Sequence, residues 1–397
     1  VNTVLLGGGL DVTGMPGYDP SGRIRSQAHH ALRADVLDRI PEAQRRDFFR
    51  AALQRFASHG VAAVTEMAGP DISSRRDLSA LLSYAGATGT GTVGAGGDLP
   101  SVYAYWGELG GARAARELGA VGAGGDLFAD GSLGSRTARL SYPYRDGAPD
   151  DVGRRHVTPA EVRDHVLECV AEGVQSGFHA IGDAAIGIVL EGYDAAAEVV
   201  GVDRIRQGRH RIEHIEMPTE RNLADMAQLG ITASVQPMFE DLWAGPGGMY
   251  EQRLGHERTA AMNPWSSFAA AGISMAFGSD SPVTEIGPWA AVRAAMQHRT
   301  PGRSITARAA FAAHTRGGWR ALGIDDAGVL RPGAAATLAV WDCQELAVQE
   351  PDDRVARWST DPRAGTPALP LLADDVALPR CLMTLESGRV LHDGMGL

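Results

Sequence analysis

Three residues able to do chemistry recur at regular distances along the chain. His179 ends the apolar run of "SGFHAIGDAAI" (176–186), His214 lies in "RIEHIE" (211–216) and Asp280 in "FGSDSPV" (277–283). An imidazole offers a lone pair to a metal ion or carries a proton near neutral pH, and a carboxylate can do either. Each residue also has a plainer reading. A histidine at a strand end is commonly a hydrogen-bonded core residue, and Asp, Ser and Pro together favour a turn.

The elements that must hold these residues follow from the pattern around them. Strand candidates lie at 60–67, 90–96, 120–132, 177–183, 210–216, 231–239 and 273–282, with helical stretches between them. In "TPAEVRDHVLECVAEGV" (158–174) Thr158 caps, Pro159 opens the helix and Glu161 stands at its third position. "TERNLADMAQLG" (219–230) stops at Gly230. Strands alternating with helices imply parallel βαβ units. His214 follows His179 by 35 positions, one such unit, and Asp280 follows His214 by 66, about two. Polar residues thus recur at the C-terminal ends of successive strands, where a barrel places its chemistry. The expected fold is α/β, a (β/α)8 barrel of the TIM type without its first strand. A doubly wound sheet is the alternative, but "GAGGD" lacks the full glycine pattern of a phosphate loop. Beyond residue 322 the texture changes. "GVLRPGAAATLAVWD" (328–342) and "CLMTLESGRVLHDG" (381–394) read as strands, with a Pro- and Asp-rich loop (359–379) between them. The expected division is a barrel over residues 1–322 and a small β-domain, a β-sandwich remnant, over 323–397.

Taken in order, "LFADGSLGSRTA", "FHAIGDAA", "RIEHIE", "SVQPMF", "FGSDSPV" and "GVLRPGAAATLAVWD" resemble the amidohydrolase superfamily, nearest the branch that includes N-substituted formamide deformylase. The resemblance covers nearly the whole chain. It implies a barrel with one or two divalent metals, usually zinc, at the strand ends. It also implies a metal-bound hydroxide that attacks a non-peptide C–N bond, as in an N-formyl group, an amide or a cyclic amide. By motif match His179 and His214 would be ligands after strands five and six. Asp280, after strand eight, would touch the metal and take the proton from the attacking water. Neutral imidazoles on rigid strand ends suit Zn2+, and three protein ligands leave a position for water, whose pKa falls to about 7.

The chain departs from the family pattern twice. No His-x-His pair occurs, His29-His30 in "QAHHAL" having the wrong spacing, and Asp126 stands where the family carries a lysine on strand four. The chain has no lysine at all, its 37 basic residues being arginines, so a carboxylated lysine is ruled out. Together these departures point to a one-metal set of Asp126, His179 and His214 with Asp280 as general base, and to two metals only in a full-length form. The opening "VNTVLL" resembles a family stretch downstream of the His-x-His strand, so further upstream sequence is expected. The opposing expectation is a catalytically defective barrel that serves as a scaffold or binding module.

Other residues near the strand ends have two readings each. Arg136 reaches the substrate or forms an ion pair, and Gln236 is a candidate for orienting a substrate amide. Glu66 faces the same mouth and is read as a structural hydrogen-bonding residue. Asp130 braces the Gly-rich loop, and Asp183 caps the following helix. His210 and His314 belong to packing, and the remaining histidines are read as surface residues. Trp243 and Tyr250, in the loop 240–262, point to an apolar group on a small-molecule substrate. The composition is that of a soluble globular protein: 44% apolar and 21% charged residues over 397, with no apolar run long enough to span a bilayer. A formal charge of −11 disfavours nucleic acid as a partner. Cys169, Cys343 and Cys381 lack CxxC spacing and read as thiols of a reducing, cytoplasmic compartment. A homodimer is the assembly the resemblance implies.

Overall fold

Short apolar runs that are each followed by a helix pair side by side in one direction, and this chain does so repeatedly. A computed structural model describes residues 10–24, 26–86, 97–347 and 368–396. Seven strands form one curled parallel sheet in sequence order. They are β1 (Ala63–Ala68), β2 (Ser101–Trp106), β3 (Gly122–Ala123), β4 (Gln175–Ala180), β5 (Arg211–His214), β6 (Thr232–Val235) and β7 (Met275–Phe277). They take the places of strands two to eight of the expected barrel. Among the described residues no pairing joins β7 to β1.

The connecting helices start and stop where their end residues allow. Thr158 and Glu161 form a reciprocal capping box at the start of the helix Pro159–Glu172. Gly230 ends the helix Glu220–Leu229 in the left-handed conformation that glycine adopts without cost. Inside the wall of helices, Phe178, Ile212, Val235 and Phe277 of the strands bury against Ile186, Val189, Leu190 and Tyr193 of the helix Asp183–Val200. Each such side chain contributes about 1.5–3 kcal/mol of burial. This core fixes the strand ends on which the candidate residues sit.

The candidate strand at 90–96 lies outside the described residues. The strand that follows β1 is "SVYAYW", whose aromatic and β-branched residues are strong strand formers. The tail forms β8 (Leu338–Asp342), β11 (Arg380–Glu386) and β12 (Arg389–Asp393) as an antiparallel sheet in the order β12-β11-β8. A two-stranded ladder pairs β9 (Leu346–Ala347) with β10 (Leu369–Pro370). β11 turns into β12 through Ser387 and Gly388, both at positive φ, as a tight hairpin requires. The tail sheet packs on the helix Glu42–Ser58, where the Thr384 hydroxyl donates to the Ala57 carbonyl at 2.7 Å. Ser101, at the start of β2, donates to Glu386. Among the described residues no helix is long and apolar enough to cross a membrane.

Candidate metal centre

The centre is assembled from three neighbouring strand ends. After β3 the chain runs on beside β4, with the His179 N–H donating to the Leu127 carbonyl and the Ala129 N–H donating to the His179 carbonyl, both at 2.9 Å. This places Asp126 next to His179. Glycines make the approach possible. A Cβ on Gly124 would come within 2.4 Å of the Gly177 nitrogen. Gly182 faces the Arg139 carbonyl so closely that a Cβ would lie 2.0 Å from its oxygen. That contact explains the glycine three residues after His179.

His214 reaches the same point by a different route. Side chains alternate along a strand, and Arg211 and Glu213 stand in register with Gly177 and His179 of β4. On that alternation the imidazole of His214 would face the opposite side. Instead the backbone turns to φ 72° at His214 and 49° at Ile215. Positive φ is uncommon for any residue but glycine, and costly for a β-branched one. The result is that the two imidazole centroids lie 4.5 Å apart. Asp280 also sits at positive φ, 53°. One ligand atom each from Asp126, His179 and His214 lies within 4.8 Å of the others. His179 and His214 are 7% and 5% exposed, while Asp126 and Asp280 are half-buried at the mouth.

Hydrogen bonds decide which nitrogen each histidine presents. The Nε2–H of His179 donates to the Gly131 carbonyl at 3.3 Å, with Asp130 Oδ1 at 3.8 Å. Its Nδ1 is buried and has no partner. His214 is engaged through Nδ1, which donates to the Gln236 side-chain oxygen at 2.8 Å. Its Nε2 makes no hydrogen bond among the described residues. Phe239 lies parallel to the His214 ring, with centroids 5.8 Å apart and planes at 14°. Asp130 accepts from the backbone N–H groups of Arg139, Ile181 and Gly182 at 2.7–3.0 Å. It braces the loop, as its position in the sequence led us to expect.

The electrostatics favour a cation. Burial pushes the Asp126 carboxyl up to about 7; the charge of His214 opposes this, and Asp280, Glu213 and Glu66 add to it. Burial likewise raises Asp280, against the pull of His214. Burial alone would lower His214, but Asp280, Glu216, Asp126 and Glu213 outweigh it and hold the ring above its ordinary range. Burial and the neighbouring His214 keep His179 neutral. A buried lone pair without a partner and a surplus of carboxylates around a second imidazole make a donor set that a divalent ion fits. Asp126, His179 and His214 would hold it.

Arg136 pairs with Asp146, at 3.3 Å, and with Asp151, at 3.9 Å, which leaves its reading as a substrate contact untested. Other expectations need correction. Gly182, not Asp183, is the N-cap; the Asp183 carboxylate accepts from the Ser141 N–H at 2.9 Å. His165 and His298 are buried, not on the surface. His165 is fixed between the Gly110 N–H and the Ala123 carbonyl, and His298 between the Thr300 N–H and the Asn263 carbonyl. No hydrogen bond to the Glu66 side chain occurs among the described residues. Gln236 has a partner in His214 that its place in the sequence does not disclose.

A residue pair below the centre escapes the sequence reading altogether. Arg211 and Glu213 form a buried two-point ion pair at 2.6 and 3.0 Å. Arg211 also donates to Ser234 at 2.7 Å and stacks on Tyr105, 4.9 Å from the ring centroid. The alternation in "RIEH" was the available signal, since it puts Arg211 and Glu213 on the face that His179 shares.

A parallel α/β sheet with metal-type donors at the C-terminal ends of adjacent strands defines a class of barrel proteins. Within it, the chain belongs to the amidohydrolase family, whose model matches residues 2–392. It is 32% identical to Protein LONG AFTER FAR-RED 3 of Arabidopsis thaliana over 202 residues, 51% of this chain and 31% of that protein. It is 26% identical to N-substituted formamide deformylase of Arthrobacter pascens over 205 residues, 50% of this chain and 37% of that one. These matches therefore span about a third of each relative. Among solved structures, an uncharacterized metal-dependent hydrolase from Pyrococcus furiosus superimposes with a TM-score of 0.66 at 23% identity. That match covers 84% of this chain and 68% of the other.

Proposed function

We propose that this chain carries the centre of a metal-dependent hydrolase that cleaves a non-peptide C–N bond, in an N-formyl group, an open amide or a cyclic amide. The observation that carries the reading is the convergence of one ligand atom each from Asp126, His179 and His214 within 4.8 Å, with His179 Nδ1 buried and without a partner. Zinc is the ion this donor set suits best. When bound, the ion supplies a Lewis acid that acidifies water and polarises a carbonyl.

The protein's own groups do the rest. His179 and His214 are held by strand ends that bring their rings to 4.5 Å, centroid to centroid. Asp280, half-buried and raised in pKa beside His214, is the group to accept a proton from the attacking water and pass it to the leaving nitrogen. Phe239 and Trp243, with ring centroids 4.6 Å apart, form an apolar wall beside His214 and support a substrate with an apolar substituent.

The test is a panel of formamides, lactams and hydantoins offered to protein loaded with Zn2+ and to protein stripped by chelator. Hydrolysis of one class, lost on stripping and absent in Asp280→Asn, supports the proposal. No turnover of any class by loaded protein contradicts it, and the scaffold reading then takes its place.

A further inference from the structure

Gln236 stands at the N-cap of the helix Pro237–Trp243, a position that favours side chains able to accept from the first turn. Its side chain makes no such cap. Its oxygen goes to the Nδ1–H of His214 at 2.8 Å, in a site where Gln236 itself is 7% exposed. We propose that Gln236 is a positioning residue: it holds the proton of His214 on Nδ1 and so keeps the Nε2 lone pair facing Asp126 and His179.

The geometry argues for this orientation of the amide. An imidazole donates through one nitrogen and accepts through the other, and the partner of one fixes the role of the other. The side-chain oxygen of Gln236 faces Nδ1 at 2.8 Å, and an oxygen that only accepts is met there by a ring that carries its proton on Nδ1. His179 shows the same logic with the nitrogens exchanged. There a backbone carbonyl, that of Gly131, takes Nε2–H and leaves Nδ1 free. The two rings thus present opposite nitrogens to one point, one set by a main chain that mutation cannot remove and the other by a replaceable side chain. Phe239, three residues on in the same segment, lies along the face of the His214 ring and limits its tilt. The turn after β6, not β5 itself, therefore aims a residue whose own backbone is strained.

The role as metal positioner rests on the proposed ion site, so the experiment has a readout that needs no metal. Nitrogen-15 spectra of the histidine rings give the tautomer in metal-free protein, at a pH high enough to leave the rings neutral. The His214 signal is assigned by its loss in His214→Asn. Parent protein should show Nδ1–H, Gln236→Glu should keep it, and Gln236→Leu should give a mixture. In a competitive zinc titration of the same proteins, Gln236→Leu should bind about 10–100-fold more weakly, with affinity restored in Gln236→Glu. A purely structural glutamine would lower the melting temperature of both variants and leave the tautomer alone. A parent ring protonated on Nε2, or a Gln236→Leu protein with the parent's tautomer and zinc affinity, overturns the proposal. A residue-236-dependent tautomer in protein that binds no zinc upholds the positioning role and removes the ion reading instead.

Discussion

The mouth of the barrel sheet and the tail sheet obey different rules. Among the described residues of the tail, the main chain takes positive φ at a non-glycine only where a tight hairpin demands it, at Ser387, and Thr384 and Glu386 are hydrogen-bonded where they are buried. At the mouth, His214, Ile215 and Asp280 all take positive φ without a hairpin to explain them. There His179 Nδ1 is buried without a partner, and burial pushes Asp126, Asp130 and Glu216 each up to about 7. Backbone strain costs stability, so three strained residues gathered at one sheet end mark what that region is kept for. The tail is built to hold; the mouth is built to bind.

The sharpest way to break the contrast is to remove the support beneath the mouth. Arg211→Leu leaves the Glu213 carboxylate buried without its cation and should cost about 3–5 kcal/mol, enough to unfold much of the protein. Chemical denaturation would show it, and a loss under 1 kcal/mol would mean that the pair is not desolvated as the fold places it.

Asp126→Asn should act in the opposite sense on metal-free protein. The folded carboxyl is raised from 3.8 to about 7, so its contribution to stability is full below pH 4 and is lost as pH rises through 7. Above pH 7 the asparagine variant should therefore be the more stable, by roughly 1–3 kcal/mol, with the difference gone near pH 4. Melting curves at the two pH values check this, and a variant less stable at pH 8 would refute it.

The smallest effect belongs to the tail. Thr384→Val removes the hydroxyl that donates to Ala57 and should cost about 1 kcal/mol while zinc affinity stays at the parent value. A change in zinc affinity there would show that the two regions are coupled rather than separate.

The same contrast governs what could be read from the sequence. Order and spacing were enough to place His179, His214 and Asp280 at the ends of successive strands, because a parallel sheet in sequence order leaves few arrangements open, whereas Asp126 was named only through the resemblance to the family. The capping residues Thr158 and Gly230 were legible for a local reason, since a cap depends only on residues nearby. Gln236 was visible as a polar residue at a strand end, but its partner lies 22 positions earlier and no local rule names it. Arg211 and Glu213 were hidden because two charges in a short strand look like a solvated face until the sheet curls and puts them inside. "SVYAYW" was missed as β2 because an unbroken aromatic and apolar run shows neither the alternation of a half-buried strand nor a helical period. His165 and His298 were read as exposed by default, although each has a partner on both ring nitrogens that only the packed structure supplies.

Zinc binding at pH 8 to metal-free parent, His179→Ala and His214→Ala proteins tests the central claim most directly. One equivalent of zinc should bind the parent, and each alanine variant should bind more than about 100-fold more weakly while remaining folded. A parent that takes up no zinc, or variants that bind it as the parent does, would contradict the account.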